Sequence, residues 1–407
     1  MTGRSLRGAQ AARADLLVVS NGHGEDLVAG RVVGALLALE PGLRVHALPV
    51  VGCGPALARS GAQLVGPRRE LPSGGLTMHS AAHLVADLRG GLVGLTARQV
   101  AWLARTRPRA AFVVGDFYAH ALAALTRAPR RVLQTLVSVH HGLGGTASPG
   151  RYFMERFRRP ELALMRRSAM VYVRDAATAR HLRGLGLARV AYLGNPMMDG
   201  LEGRQLEGSG DAGGPRVALL PGSRAYALRS VAIMVAALER LPGALGLVAW
   251  TGRTPPAPPA GWESDVAVAP GVVAAWRNGA TRLWWVVDRF ADVLRSADVA
   301  VGTAGTAVEQ AVGLGVPVVT FPLAPDHSAA FVANQARLLG AGVTQGVGEP
   351  AALASTLARL WRDEGAAARA RAAGAERMGP PGASAALAAD LRDWLKDLAA
   401  ADASVGR

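Results

Sequence analysis

At 407 residues, half of them hydrophobic, the chain is too long for one ordinary core and has enough apolar side chains for two. Its formal charge of +15 rests on arginine, because Lys396 is the sole lysine; this excludes a P-loop lysine and a Schiff-base lysine and favours anionic partners. The single cysteine, Cys53, excludes an internal disulfide and is expected as a small buried hydrophobe in a reducing compartment.

Nucleic acid is not expected among those partners. The arginines lack the interleaved aromatics of a single-strand groove, and no zinc-finger, RNP or basic-zipper pattern occurs. Arg4, Arg7 and Arg13 precede an apolar run, Leu16 to Val19, that is too short for a signal-peptide core. Other uncharged stretches are broken by Gly, Pro or His, so no spanning helix is expected. A cytoplasmic protein, at most peripheral on a membrane, is the expectation.

In chain order, Leu16 to Ser20 reads as a strand, followed by the turn Asn21-Gly22-His23-Gly24-Glu25-Asp26 and a helix to about Leu39. Acids in that first helical turn suit the helix dipole but repel a pyrophosphate, and the next strand, Arg44 to Val51, ends without a ribose-binding acid; NAD is therefore excluded there. Hydroxyl chemistry fits better, with His23 able to take a proton near neutral pH or simply to hydrogen-bond locally. His79, His83 and Asp87 follow at helical spacing. They read as a polar stripe rather than a metal face, because the HExxH glutamate is missing, and no DxD pair occurs anywhere. No metal and no cofactor are expected.

Ala110 to Val114 is a buried strand ending in Gly115-Asp116, where Asp116 is either a base at the sheet's carboxyl edge or the N-cap of the next helix. Arg131 to Val139 is the next strand, ending in His140-His141-Gly142. Between Arg151 and Arg167, six arginines interleave with Tyr152, Phe153, Met154 and Phe157, a composition suited to an anionic lipid interface, against which stands a solvated helix face with a core side. Strands at Val171 to Val173 and Val190 to Leu193 complete the first half, and the Gly-rich stretch from Gly203 to Pro215 reads as a linker.

The second half begins with an apolar strand, Arg216 to Leu220, then Pro221-Gly222-Ser223-Arg224 and a helix from about Ala225 to Leu241. Strands follow at Ala244 to Trp250 and Leu283 to Val287. From 298 to 322 the chain spells one βαβ unit: strand Val299 to Val301, the break Gly302-Thr303-Ala304-Gly305, a helix and strand Val316 to Phe321. In that unit Thr306 is expected to cap the helix, with Glu309 at capping-box spacing. Such a loop aims bare backbone N–H groups at the sheet's carboxyl edge, where a pyrophosphate would sit, although many such loops bind nothing. Helices from about Ala351 to Arg377 and Ser384 to Ala399 close the chain, separated by Gly379-Pro380-Pro381-Gly382.

Leu219 to Arg224, Gly302 to Glu309 and Leu193 to Asp199 resemble motifs of lipid-A-disaccharide synthase. The overall pattern is closer still to the lipid-A-disaccharide synthase-related family, whose SNGHGED start appears as Ser20 to Asp26, and its layout is similar to that of the lipid II GlcNAc transferase. The resemblance spans almost the whole chain and implies a GT-B fold: α/β, two Rossmann-like parallel-sheet domains facing a central cleft, with the C-terminal helix returning to the first. The domains would be 14–202 on the acceptor side, a linker at 203–214, a nucleotide-sugar domain at 215–379 and the returning helix at 380–407. Carried over, Ser223 and Arg224 would meet the donor phosphates, Gly302, Thr303, Ala304, Gly305 and Thr306 would wrap the pyrophosphate, and Glu309 would hold the ribose, with Gln310 beside it. His23 and Asp116 would be the catalytic residues, among acceptor-side residues Asn21, Gly22, Gly24, Glu25 and His140. Two departures stand out: Gly22-His23-Gly24-Glu25-Asp26 replaces the synthase's GEASGD, and Ala225-Tyr226-Ala227 lacks the acid that follows its LPGSR.

The expected function is an inverting, metal-independent glycosyltransferase moving a sugar from UDP to a lipid-linked or membrane-proximal hydroxyl. Its rivals are a UDP-GlcNAc 2-epimerase and a catalytically silent nucleotide-sugar-binding protein.

Overall fold

The computed structural model describes residues 14–72, 81–142, 157–252, 254–266 and 269–405. They form two compact units, one running to Pro196 and resuming at Gly382, the other Met197–Pro381.

The first unit is built on a seven-stranded parallel sheet: β1 (Leu16–Ser20), β2 (Val45–Pro49), β3 (Gln63–Leu64), β4 (Ala110–Gly115), β5 (Arg130–Gln134), β6 (Met170–Val173) and β7 (Val190–Ala191). Their order is β3-β2-β1-β4-β5-β6-β7. β1 and β4 are continuously apolar and fully buried because helices cover both faces of a parallel sheet. Strand order reverses between them, and their carboxyl ends open a crevice at that point. β5 is shorter than the expected Arg131 to Val139, because Gln134 Oε1 accepts from the N–H groups of Leu136 and Val137 at 2.6 and 3.1 Å and turns the chain out of the sheet.

The C-terminal helix, Ala383–Val405, packs on the helix His23–Leu39. Leu387, Leu391, Trp394 and Leu395 join Val28, Val32 and Leu36 in one core. Asp390 on that helix accepts from Tyr172 Oη and Arg131 Nη1, and the Arg131 guanidinium lies 4.8 Å over the Trp394 ring.

The second unit holds an eight-stranded sheet: β8 (Arg216–Leu220), β9 (Leu245–Trp250), β10 (Glu263–Asp265), β11 (Val272–Asn278), β12 (Thr281–Val287), β13 (Val299–Gly302), β14 (Val318–Thr320) and β15 (Val343–Gln345). The order is β10-β11-β12-β9-β8-β13-β14-β15, which reverses between β8 and β13. β10 to β12 pair antiparallel, an extension the sequence reading did not anticipate. Its signal was Asn278-Gly279, a hairpin dipeptide with Gly279 at φ +57°. Alternation along β12 sends Trp284 into the core on one face of the sheet and Trp285 into the core on the other.

Three expectations are corrected. Residues 203–214 are packed rather than a free linker: Arg204 N donates to Asp292 Oδ1 at 2.7 Å, Leu206 N to Ser296 Oγ at 2.8 Å, and Leu206 and Ser209 are buried. The helix expected from 351 to 377 is two, Pro350–Arg362 and Ala366–Arg377, because the carboxylate of Asp363 accepts from Gly365 N and breaks the run. Cys53 is exposed, since it sits in the turn between β2 and the helix Pro55–Arg59 rather than on a packed face.

The Asp390 cluster gives a direct test of the helix's return. Asp390→Ala leaves Arg131 and the Tyr172 hydroxyl without their shared acceptor and should lower stability by about 1–3 kcal/mol in urea unfolding. A midpoint shift near zero would mean that the apolar contacts alone hold the helix.

Candidate active-site residues

In the first unit, the chain leaves β1 through Asn21 and Gly22 and enters its helix at His23. It leaves β4 through Asp116, the N-cap of the helix Phe117–Ala124. Ser20 stands opposite Val114 in the parallel register, so these two turns are neighbours. Asn21 Nδ2 donates to Asp116 Oδ1 at 2.8 Å, and the same oxygen accepts from Tyr118 N at 2.8 Å. Asn21 approaches so closely that a Cβ on Gly115 would lie 2.0 Å from its Oδ1, which requires glycine there at φ +144°.

Four carboxylates gather at this edge. Asp26 is buried under the turn and accepts from Ser20 Oγ at 2.5 Å; burial pushes its pKa up to about 6, against the hydroxyl and the charge of His23, which lower it. Glu25 is partly exposed and folds back over Gly22; burial, then the neighbouring charges of Asp116 and Asp26, push its pKa up to about 7. Asp116 is raised by burial, against its hydrogen bonds and the charge of Arg158. Glu161, buried on the helix Arg159–Arg166, accepts from Gln134 Nε2 at 2.8 Å and is likewise raised by burial. Sequence reading missed Gln134, Arg158 and Glu161 as members of this edge; the arginine-rich run around Arg158 was read as a surface segment.

His23 stands at the helix start after β1. Its half-exposed ring places Nε2 at 3.7 Å from Glu70 Oε1, while Asp116 is taken up by Asn21 and its own helix's first turn. His140 sits with Nε2 at 3.7 Å from Asp175 Oδ1, on a short helical turn whose Ser138 Oγ donates to Asp175 Oδ2 at 2.7 Å. Asp87 is fully buried rather than part of a solvated stripe. His79 and the side chain of His83 lie outside the described residues, and among the described residues no cluster of His, Cys, Asp and Glu could hold a metal.

Residues 151–156 of the expected lipid-facing segment also lie outside the described residues. The rest of it is an ordinary core-sided helix. Met165 is buried, Phe157 and Leu162 pack on the same cluster, and the Arg158 guanidinium lies 4.7 Å over the Phe117 ring.

In the second unit the turns after β8 and β13 meet at the other strand-order reversal. A Cβ on Gly222, at φ +81°, would lie 3.2 Å from Ala304 Cβ, and one on Gly302 would lie 2.9 Å from Val308 Cγ2. Thr303 is buried and clamped: its Oγ1 is 2.6 Å from Ser230 Oγ and its N donates to Leu220 O at 3.2 Å. The helix Gly305–Gly313 starts without a side-chain cap, with Ala304 at the cap position. The expected capping box therefore does not form, because the helix begins one residue before Thr306 and the third position after the cap is Ala307. Glu309, partly exposed, stands more than a turn in. Gln310 spends an amide N–H on Met197 O at 2.8 Å, and Gln335 Nε2 donates to Gly305 O at 3.0 Å, bracing the loop. Ser223 is exposed and Arg224 partly so, in a turn closed by Ala227 N donating to Arg224 O at 2.9 Å; the following helix starts at Ala227.

No family model matches the chain, and no curated protein does. Solved structures do. A glycosyltransferase of kitacinnamycin is similar at a TM-score of 0.57 and 19% identity, over 93% of this chain and 98% of that one. CalG4, the calicheamicin glycosyltransferase, gives 0.57 at 16% identity, over 95% and 98%. A structure titled putative UDP-N-acetylglucosamine 2-epimerase from Listeria monocytogenes gives 0.57 at 14%, over 93% and 97%. The fold is GT-B: two Rossmann-like units on parallel strands, the second sheet extended at one edge by the antiparallel β10 and β11.

Asp26 offers a test of the charge burial at the first edge. A carboxyl raised from 3.8 to about 6 adds its full stability below pH 3.8 and loses it as pH rises through 6. Asp26→Asn should be more stable than wild type by an amount that grows from pH 4 and levels above pH 7 at about 3 kcal/mol. Parallel pH–stability profiles for the two proteins would show that Asp26 ionises without cost.

Proposed function

We propose that this chain is an inverting, metal-independent glycosyltransferase, resembling lipid-A-disaccharide synthase in activity, that transfers a sugar from UDP to a lipid-linked or membrane-proximal hydroxyl. The observation that carries the reading is the strand-order reversal between β8 and β13, where an uncapped helix start, the Gly302 loop and the Ser223-Arg224 turn converge. Bare N–H groups and an arginine suit a pyrophosphate leaving group, and they do the work of the metal that a DxD pair would hold. Glu309 is assigned to the ribose hydroxyls. The carboxylate-lined edge of the first unit, with His23 and Asp116 as its sequence-nominated groups and Asn21, Gly22, Gly24, Glu25 and His140 around them, is assigned to the acceptor hydroxyl.

A membrane-proximal acceptor is supported by the surface of the helices Ala81–Arg89 and Leu92–Arg105. Val85, Leu88, Val93 and Val100 are exposed there, and Arg89, Arg98, Arg105 and Arg107 are exposed around them. No Asp or Glu occurs between residues 88 and 115. Among the described residues no helix is long and apolar enough to cross a membrane. The epimerase reading is favoured by the Listeria likeness, and it needs no second substrate: incubation with UDP-GlcNAc alone distinguishes it.

Glu309→Gln should weaken UDP binding by about 1–3 kcal/mol in calorimetry, since a carboxylate accepting two hydroxyls makes charge-assisted bonds. Unchanged affinity in the folded variant would remove Glu309 from the donor site. Sugar transfer from radiolabelled UDP-sugars to a host lipid extract should persist in excess EDTA; loss that Mg²⁺ or Mn²⁺ restores would overturn the metal-free mechanism. Co-sedimentation with anionic liposomes should fall with salt and be lost in an Arg89, Arg98 and Arg105 to Glu triple variant, since each arginine near such a surface contributes about 1 kcal/mol. Binding that survives both would place the membrane contact elsewhere.

A further inference from the structure

We infer that Glu25, rather than His23 or Asp116, takes the proton from the acceptor hydroxyl, with Asp116 as its acidic neighbour on the adjoining turn. The inference rests on the glycosyltransferase reading above and names the proton acceptor within it.

The four carboxylates of the first edge are not equivalent. Asp26 is buried and bound to Ser20, and Glu161 is buried and bound to Gln134. Asp116 is committed to Asn21 Nδ2, to Tyr118 N and to the cap of its helix. Glu25 and Asp116 are both partly exposed, and of the two Glu25 is the more lightly held. Its side chain turns back along the helix start until Oε2 would touch a Cβ on Gly22 at 2.8 Å, a path open only because residue 22 is glycine at φ +140°. Its Oε1 reaches Thr135 Oγ1 at a long 3.4 Å. The carboxylate thus extends from the β1 turn past β4 to the end of β5, across the mouth of the strand-order reversal.

The charges facing it are mixed but net acidic. Asp26 lies on its own helix and Asp116 on the β4 turn, and both raise its pKa; among the described residues no cation pairs with it. Arg158 acts instead on Asp116 and Glu161, and His23 acts on Asp26 and stands at Glu70. A carboxylate held near neutral pH, first by burial and then by the like charge of its acidic neighbours, is a far better proton acceptor than an ordinary one. In the transfer step the acceptor O–H bond breaks and its proton passes to a Glu25 oxygen. The freed oxygen pair bonds to the anomeric carbon as that carbon's bond to the UDP oxygen breaks, and the latter pair leaves with UDP. Glu25 then returns its proton to water.

The experiment combines a titration with kinetics on the full chain. Carbon-13 NMR of glutamate-labelled protein, assigned by the signal missing in Glu25→Gln, should show a Glu25 midpoint near pH 7 that falls in Asp116→Asn while burial keeps it above the ordinary range. Initial rates with UDP-GlcNAc and host lipid extract should drop about two to four orders of magnitude in Glu25→Gln with UDP affinity unchanged, and the acidic limb of the kcat profile should move to lower pH in Asp116→Asn. A Glu25 midpoint near 4.5, or a wild-type rate in Glu25→Gln, overturns the assignment and leaves the glycosyltransferase reading standing. A midpoint near 7 in a wild-type protein that transfers no sugar, while still binding UDP, overturns that reading and with it the role given to Glu25.

Discussion

The constraint on which the structure depends is that a parallel sheet can reverse its strand order only by leaving two carboxyl ends side by side without a crossover between them. Both sheets do this once, at β1 and β4 in the first unit and at β8 and β13 in the second. At each reversal the two turns are joined directly, by Asn21 and Asp116 in one and by Gly222 against Ala304 in the other. The glycines at 115, 222 and 302 follow from this closeness, because a Cβ at any of them would meet a neighbour within 3.2 Å.

The same topology sets the electrostatics of the two edges apart. The second-unit turns offer backbone N–H groups, a hydroxyl and an arginine, a set that favours negative charge. The first-unit turns concentrate Glu25, Asp26, Asp116 and Glu161, and burial keeps all four carboxyls above their ordinary range. Such a cluster costs stability at neutral pH, and folding elements do not need it. The sheet itself is held by apolar burial along β1, β4 and β5 and by the C-terminal helix. Acids kept at a reversal point against their own burial penalty are candidates for chemistry.

The sheets were legible because parallel strands are short apolar runs bounded by glycine turns, and β1, β4, β8 and β13 are such runs. β11 was not, because its alternation Val272 to Asn278 is faint and half exposed, although Asn278-Gly279 marked the hairpin. Glycine loops and the 222–224 and 302–309 segments were likewise readable, since turn chemistry is local. Glu25 was named among acceptor-side residues, but its distinction from His23 and Asp116 was invisible. Which carboxylate is tied and which is loose depends on Asn21 reaching Asp116, and those residues are ninety-five positions apart. For the same reason Arg158 read as surface charge until helix 159–166 brought it beside Phe117.

The two edges also differ in how firmly their parts are fixed, and the difference fits their assigned tasks. Thr303 is locked by Ser230 and Leu220, and the carbonyl of Gly305 is held by Gln335, so the helix start that would meet a diphosphate cannot adjust. A pre-set array of donors stabilises charge in a leaving group without reorganising, which is where such a site gains most of its rate. At the acidic edge the rigid members are Asp116, Asp26 and Glu161, each tied by a hydrogen bond of 2.8 Å or less. Glu25 lies over Gly22 with a longer side-chain contact, 3.4 Å to Thr135 Oγ1. A group that must receive a proton and release it again to water has to reach solvent between turnovers, which the buried Asp26 and Glu161 do not.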